Sequence, residues 1–163
     1  MKIILPLIIF FFYSNSLLGK KSYLPLEMVI GSADLIVVGK IDEIQNETYH
    51  FKVDETIRGK QQSKILVQKF REWTCDIRMR KIKKGQKLVL FLQEKLGKYE
   101  IIDGSSGELI IETDKTLKQF NGSHRSLNEL VHTIRDFVQC YELIGGISYG
   151  PPSKIRFKQL VSG

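Results

Sequence analysis

The stretch Ala33–Gly59, ADLIVVGKIDEIQNETYHFKVDETIRG, decides the fold because it contains two β-strands joined by a short polar turn. In the first strand, Leu35–Ile44, four apolar residues follow one another, and such a run predicts a strand that is covered on both faces. In the second, Tyr49–Arg58, apolar and polar residues alternate, which predicts one buried and one solvated face. Gly39 predicts a bulge, a bend or a close backbone approach, the features that allow a small barrel to curl.

Further strand patterns follow this hairpin and are separated by turns rich in glycine and polar residues. The segment KLVLFLQE, Lys87–Glu94, is apolar on both sides, so we expect it in the middle of the sheet. The segment Thr113–Arg125 is polar and is expected to be a mobile, irregular connection. Before the hairpin, Pro25 can occupy the first position of a short helix that ends at Gly31. The remaining predicted strands are Lys64–Phe70, Tyr99–Ile102 and Leu109–Glu112.

A late amphipathic helix is predicted over residues 126–143. Ser126 is a good N-cap, and Glu129 three residues later completes a capping box. Apolar residues recur at steps of three and four, which predicts a buried stripe long enough to pack on the sheet. Gly145 and Gly146 end this region, and residues 145–163 are expected to form a basic tail. The apolar stripe comprises Leu127, Leu130, Val131, Ile134, Phe137, Val138 and Tyr141.

Residues 1–19 have the pattern of a secretory signal peptide. Lys2 is a short positive region, Ile3–Tyr13 is an apolar run, and the residues up to Gly19 are small or weakly polar. A transmembrane anchor is the alternative, but a span needs about 20 apolar residues. We therefore expect an exported protein, secreted or periplasmic, with one domain over residues 20–144 and no transmembrane span after cleavage.

The chain is basic. It has 25 lysine and arginine residues against 18 acidic residues, a net charge of +7, and loss of Lys2 with the signal peptide leaves +6. Such a balance favours acidic partners, such as anionic glycans, nucleic acid or lipid headgroups. The alternative is a soluble exported domain with a lysine-rich, solvated surface.

The candidate contact surface lies between the third and fourth strands, where basic and aromatic side chains are concentrated. The basic side chains could contact phosphate or sulfate groups, or could simply be solvated. Trp73 could stack on a base or a sugar, as aromatic residues do in small barrels, or could pack under the late helix. The candidate residues are Arg71, Trp73, Arg78, Arg80, Lys83 and Lys84.

The two cysteines, Cys75 and Cys140, allow one disulfide bridge in an exported chain. Two unbridged thiols are the alternative, and the sequence leaves both open. His132, Asp136 and Cys140 share a helical edge, but no fourth ligand accompanies them, so we predict no metal site and no cofactor. No Ser–His–acid or paired-carboxylate signature stands out, and an enzyme is not expected.

Several short motifs resemble the netrin-module group, which includes the amino-terminal domain of the tissue inhibitors of metalloproteinases. They are ADLIVVGKI from Ala33, the Ile57-Arg-Gly end of the second strand, the loop cysteine Cys75, and GQKLVLFL, which ends at Leu92. The resemblance covers about Ala33–Ile111. It implies a mainly β fold, a small closed antiparallel OB-like β-barrel (the oligonucleotide/oligosaccharide-binding architecture) packed by a C-terminal amphipathic helix.

The resemblance does not extend to the inhibitory group. In the inhibitors a cysteine at the mature N-terminus chelates the protease zinc through its amine and carbonyl, whereas no cysteine precedes Cys75 in this chain. We therefore expect an exported, non-catalytic module that binds an unknown protein or anionic macromolecule, and nucleic acid is not the expected partner. A structural envelope-associated domain without a dedicated ligand is the first alternative, and an enzyme is the second.

Overall fold

The computed structural model describes residues 21, 23–118, 124–144 and 156–159, so the predicted signal peptide lies outside the described residues. Helix α1 is Leu26–Ser32, helix α2 is Leu127–Cys140, and Gly104–Ser106 form one turn of 3-10 helix. The strands are β1 (Leu35–Ile44), β2 (Thr48–Arg58), β3 (Lys64–Gln68), β4 (Lys87–Lys95), β5 (Lys98–Ile101), β6 (Glu108–Ile111), β7 (Thr116–Lys118), β8 (His124–Ser126), β9 (Tyr141–Ile144) and β10 (Arg156–Gln159).

Strands β1 to β5 close into a barrel in the order β1-β2-β3-β5-β4, and β4 pairs with β1. All of these pairings are antiparallel except that of β3 with β5, which is parallel and joins Val67 to Tyr99 and Gln68 to Glu100. Strands β6, β7 and β8 continue the sheet beyond β4. The predicted fold class is confirmed: the chain is mainly β, with a small OB-like barrel and a C-terminal helix.

Consecutive apolar residues of β1 and β4 serve two cores, one on each face of the sheet. Val37 and Leu90 belong to the barrel-interior core, which draws side chains from all five barrel strands. Ile36 and Phe91, their neighbours in sequence, belong to an outer core that also contains residues of α1 and α2. The prediction that these two strands are covered on both faces is therefore confirmed, and the two helices contribute to the cover of the outer face.

Gly39 lies at a bulge between β1 and β2, as its position in a strand predicted. The register of the pair shifts between Val38 and Gly39, and the backbone of Lys52 passes so close that no Cβ atom fits at Gly39. Because of these register shifts, Ile57 packs against the outer core. The alternation of apolar and polar residues in this strand predicts instead that Ile57 lies on the same face as Phe51, which belongs to the barrel-interior core. A bulge adds one residue to a strand, and the faces exchange beyond it.

Helix α2 covers the outer core and begins as predicted. The Ser126 hydroxyl accepts a hydrogen bond from the backbone N–H of Glu129 at 3.1 Å, and Leu130 and Ile134 are fully buried. The helix ends at Cys140, three residues earlier than predicted, because Tyr141 adopts an extended backbone conformation. Strand β9 follows and pairs with β10, which lies in the segment predicted to be a tail.

The segment predicted to be an irregular connection, Thr113–Arg125, instead contributes strands β7 and β8 in its described parts. Leu117 is the reason, because its side chain is completely buried in the outer core and β7 pairs with β6 through it. Neither helix in the described part of the chain has the length and hydropathy that a membrane crossing requires.

Candidate functional site

The candidate residues lie on the long loop, residues 69–86, which connects β3 to β4. A tight turn within it joins Trp73 to Asp76: the N–H of Asp76 donates to the carbonyl of Trp73 at 2.8 Å, and the N–H of Trp73 donates back at 3.3 Å. Further along, Met79 and Ile82 pack against the barrel-interior core. The long loop is therefore attached to the barrel along its length.

Asp76 is the first buried anchor of the long loop. One oxygen of its carboxylate accepts hydrogen bonds from the backbone N–H of Ser105, at 3.1 Å, and from the Ser105 hydroxyl. The other oxygen lies 2.8 Å from the ammonium of Lys21, which is also 3.4 Å from the carboxylate of Asp103. Because the N–H of Leu24 also donates to Asp103 at 3.1 Å, Lys21 and Leu24 are both held at this point.

Arg78 is the second anchor, and its side chain is only 7% exposed. Its Nε donates to Glu108 at 2.7 Å, its guanidinium lies 3.8 Å from the ring centre of Phe70, and Nη1 donates to Glu72 at 3.0 Å. The hydroxyl of Tyr49 lies 3.4 Å from the same Glu108 carboxylate, inside the barrel. This is a charge-assisted network in which the buried arginine and carboxylate satisfy each other.

The pKa values of this network follow from its burial. Burial raises the pKa of Glu108, although the hydrogen bonds and positive charge of Arg78 act in the opposite direction. Burial also raises the pKa of Tyr49 well above its ordinary value, and the adjacent Glu108 charge adds to the rise. Tyr49 is therefore a neutral hydrogen-bond donor at physiological pH.

Above these anchors the long loop exposes two large apolar side chains, Trp73 at 49% and Ile77 at 53%. Tyr23 lies beside the same turn, and its hydroxyl donates to the carbonyl of Cys75 at 3.4 Å. The alternative that buried Trp73 under the late helix is wrong, since half of the side chain is in solvent. The loop thus combines two buried ionic anchors with an exposed apolar surface.

The six candidate residues separate into two groups. Arg78 points inward and is occupied by Glu108 and Glu72, whereas the other five side chains are on the surface. Among these, Arg80 makes two contacts with the carboxylate of Glu112, at 2.8 and 3.0 Å. The surface group comprises Arg71, Trp73, Arg80, Lys83 and Lys84.

The two cysteines are not bonded to each other. The turn around Cys75 is held by Tyr23 and by the contacts of Asp76, while Cys140 is an exposed residue at the last position of α2. On that helix His132 lies 3.3 Å from Asp136, and both are exposed. Within the described ranges, no group of three or more histidine, cysteine, aspartate or glutamate side chains could hold a metal ion.

Sequence reasoning missed the acidic partners of the anchors and the contribution of Lys21. Asp103 and Ser105 appeared to belong to an ordinary turn, and nothing local distinguishes Asp76 from its charged neighbours. Only for Glu108 does the sequence indicate burial, because this residue immediately precedes the apolar residues Leu-Ile-Ile and so stands at the start of a buried strand.

No family model matches this chain, and no curated protein matches it. The fold and the geometry of the long loop therefore carry the functional argument.

Proposed function

We propose that this chain is an exported, non-catalytic OB-like domain that binds a partner protein through the exposed side of the long loop. The observation that carries the proposal is the exposure of Trp73 and Ile77 above the buried anchors Asp76 and Arg78. Tryptophan, tyrosine and arginine are the residues most enriched among those that dominate binding energy at interfaces. Arg71 is also exposed on this loop, and the exposed Tyr23 is hydrogen-bonded to the carbonyl of Cys75 in the same turn as Trp73.

The anchors matter because a fixed loop loses little conformational freedom when it binds. Lys21 and Ser105 hold Asp76, and Glu108 holds Arg78, so the backbone between these two residues is positioned before any partner arrives. Ile77 lies directly between them. An exposed apolar surface on a loop that is already held in place therefore favours a binding module over a structural domain without a ligand.

The non-catalytic part of the proposal is supported by the contacts of the two side chains whose pKa values are raised. Glu108 and Tyr49 have raised pKa values, but their side chains contact each other, and Glu108 also pairs with Arg78. Their perturbation has a structural cause, since buried ion-pair networks shift pKa values without any catalytic role. Export is supported by the signal-peptide pattern of residues 1–19, and the resemblance to the netrin-module group rests on the short sequence motifs between Ala33 and Leu92.

The test is site-specific photo-crosslinking in cells that produce the full chain. A photoreactive amino acid replaces Ile77 in one variant and Leu96, another exposed apolar residue, in the control. We expect a defined crosslinked protein adduct from position 77 that is absent from position 96. In a background that carries Trp73→Ala, the adduct from position 77 should decrease while the yield of folded protein stays the same.

Two results would oppose the proposal. If neither position gives an adduct, or if both give the same broad mixture, the long loop has no dedicated partner. If Trp73→Ala leaves the adduct from position 77 unchanged, Trp73 is not part of the binding surface.

A further inference from the structure

A second surface feature is a basic groove beside the long loop, with a volume of about 560 Å³. The second half of the loop, Arg80–Gly85, forms one wall. The turn between β6 and β7, which includes Lys115, contributes to the lining, as do Val38 and Gly39 of β1. The groove contains neither Trp73 nor Ile77, so it is separate from the surface in the proposed function.

Counted over the residues that the structure describes, the walls of the basic groove carry five basic and two acidic side chains. Arg80 is paired with Glu112, which leaves Asp54 as the other acidic group. The four lysines of the groove are all exposed, and none of them forms an ion pair with another described residue. They are Lys81, Lys83, Lys87 and Lys115.

The lining also includes apolar side chains: Val38 and Ile110 are buried, whereas Ile111 and Leu127 are partly exposed. A ligand that matches both features must present carboxylates to the lysines and aliphatic groups to these residues. Lys115 has φ of 61°, a left-handed backbone conformation that is uncommon for residues other than glycine, asparagine and aspartate. Lys115 occupies this left-handed turn position and adds to the charge of the groove.

We propose that the basic groove binds an acidic peptide segment of a partner protein, in which carboxylate and aliphatic side chains alternate. Charge complementarity supplies the attraction and the register, and the apolar residues supply contact area. Single-stranded nucleic acid is disfavoured because, among the described residues, no aromatic side chain lines the groove for base stacking. A sulfated glycan would leave the apolar lining unused, and a flat membrane surface cannot enter a concave groove.

The test measures binding of fluorescent probes to the full chain at low salt. The main probe is an eight-residue peptide of alternating glutamate and leucine; its neutral counterpart has glutamine in place of glutamate. We expect the acidic peptide to bind, the neutral one to bind at least about tenfold more weakly, and added salt to weaken the acidic peptide. An all-glutamate peptide tests the apolar lining and should also bind more weakly.

The matched variants reverse three charges each. Lys81→Glu, Lys83→Glu and Lys115→Glu together should reduce affinity for the acidic peptide on the order of tenfold or more. Lys52→Glu, Lys60→Glu and Lys98→Glu together change the net charge equally at exposed positions outside the groove, and they should have a smaller effect.

Equal losses in both triple variants would overturn the groove as the site. Heparin or single-stranded DNA that binds the wild type while the acidic peptide does not would overturn the peptide in favour of that polyanion. An all-glutamate peptide that binds as well as the alternating one would overturn the role of the apolar lining. Because these variants leave Trp73 and Ile77 intact, failure here is distinct from failure of the crosslinking test.

Discussion

At the scale of single residues, Gly39 is the position where the barrel has no room for a side chain. A Cβ atom there would meet the carbonyl oxygen of Lys52 and would lie 2.8 Å from Cε1 of Phe51. The oxygen belongs to paired backbone and cannot move away, so Gly39→Ala should lower the free energy of unfolding by about 3 kcal/mol. Urea unfolding followed by circular dichroism measures the change.

Gly97→Ala is the matched control for this substitution. Gly97 has φ of 74° but open space around the added carbon, so only backbone strain applies. Its cost should be about 1 kcal/mol. Equal costs at both glycines would show that the close approach of β1 and β2 is not what limits the side chain at Gly39.

Leu96 is a strained and fully exposed residue at the turn between β4 and β5. It has φ of 51° and is followed by Gly97 at 74°, so both central turn residues are left-handed, as in the tight turns that favour Asn-Gly. Leu96→Asn should therefore raise the free energy of unfolding by about 1 kcal/mol. Leu96→Ala keeps an unfavourable side chain in the same conformation and should change stability little, so an equal gain from alanine would contradict this reason.

At the scale of elements, the Arg78–Glu108 pair joins the long loop to β6. Arg78→Met leaves the buried carboxylate without its cation and should lower the free energy of unfolding by about 3–5 kcal/mol. Adding Glu108→Gln removes that charge, so the double variant should be more stable than Arg78→Met alone. Additive effects in urea unfolding of the three variants would show that the two groups do not interact.

Glu108 should also make stability depend on pH. Burial raises its pKa above the ordinary value of 4.5, so above that pH the folded protein holds a proton that the unfolded chain has released. The contribution of Glu108 is fully present below pH 4.5 and is lost as the pH rises through the raised pKa.

The difference in unfolding free energy between wild type and Glu108→Gln measures this contribution, because other titrating groups cancel. This difference in unfolding free energy should fall as the pH rises from 4.5. In an Arg78→Met background the fall should extend over a wider pH range, because the cation that lowers the pKa of Glu108 is gone. A difference that does not vary with pH, or that rises with it, would contradict the raised pKa.

The elements also show what the sequence could predict. Strand β1 and the body of β4 were predicted because each contains a run of apolar residues long enough to show that both faces are buried. Strand β7 was not, because in three residues a single buried side chain, Leu117, gives no periodicity. The end of α2 at Cys140 was missed because the apolar stripe continues through Tyr141 after the backbone has become extended.

At the scale of the whole molecule, the sequence predicted which loop contains the candidate site but not how the side chains of that loop are arranged. Trp73 and the surface basic residues were identified because basic and aromatic side chains are concentrated in the long loop. The inward position of Arg78 was not, because it depends on Glu108, 30 residues later and in another strand. Likewise Lys21 and Asp103 meet across 82 residues of sequence, and no local pattern carries such a pairing.

The same long-range contact links the proposed export of the chain to its stability. Lys21 lies between two buried carboxylates, those of Asp76 and Asp103, and its ammonium donates to the Asp103 carbonyl at 2.7 Å. Lys21→Met should therefore lower the free energy of unfolding by about 3 kcal/mol, whereas Lys60→Met, at an exposed position, should have little effect.

The proposed signal cleavage should then leave this lysine in the mature protein. Cleavage at the predicted boundary after Gly19 does so, and we expect N-terminal sequencing of protein recovered from an exporting host to begin at or before Lys21. A chain that begins at Ser22 loses the only cation that contacts Asp76 among the described residues, and it should be as unstable as Lys21→Met. A mature protein that begins after Lys21 and keeps full stability would show that this anchor is dispensable, and the rigid presentation of the long loop would then rest on Arg78 alone.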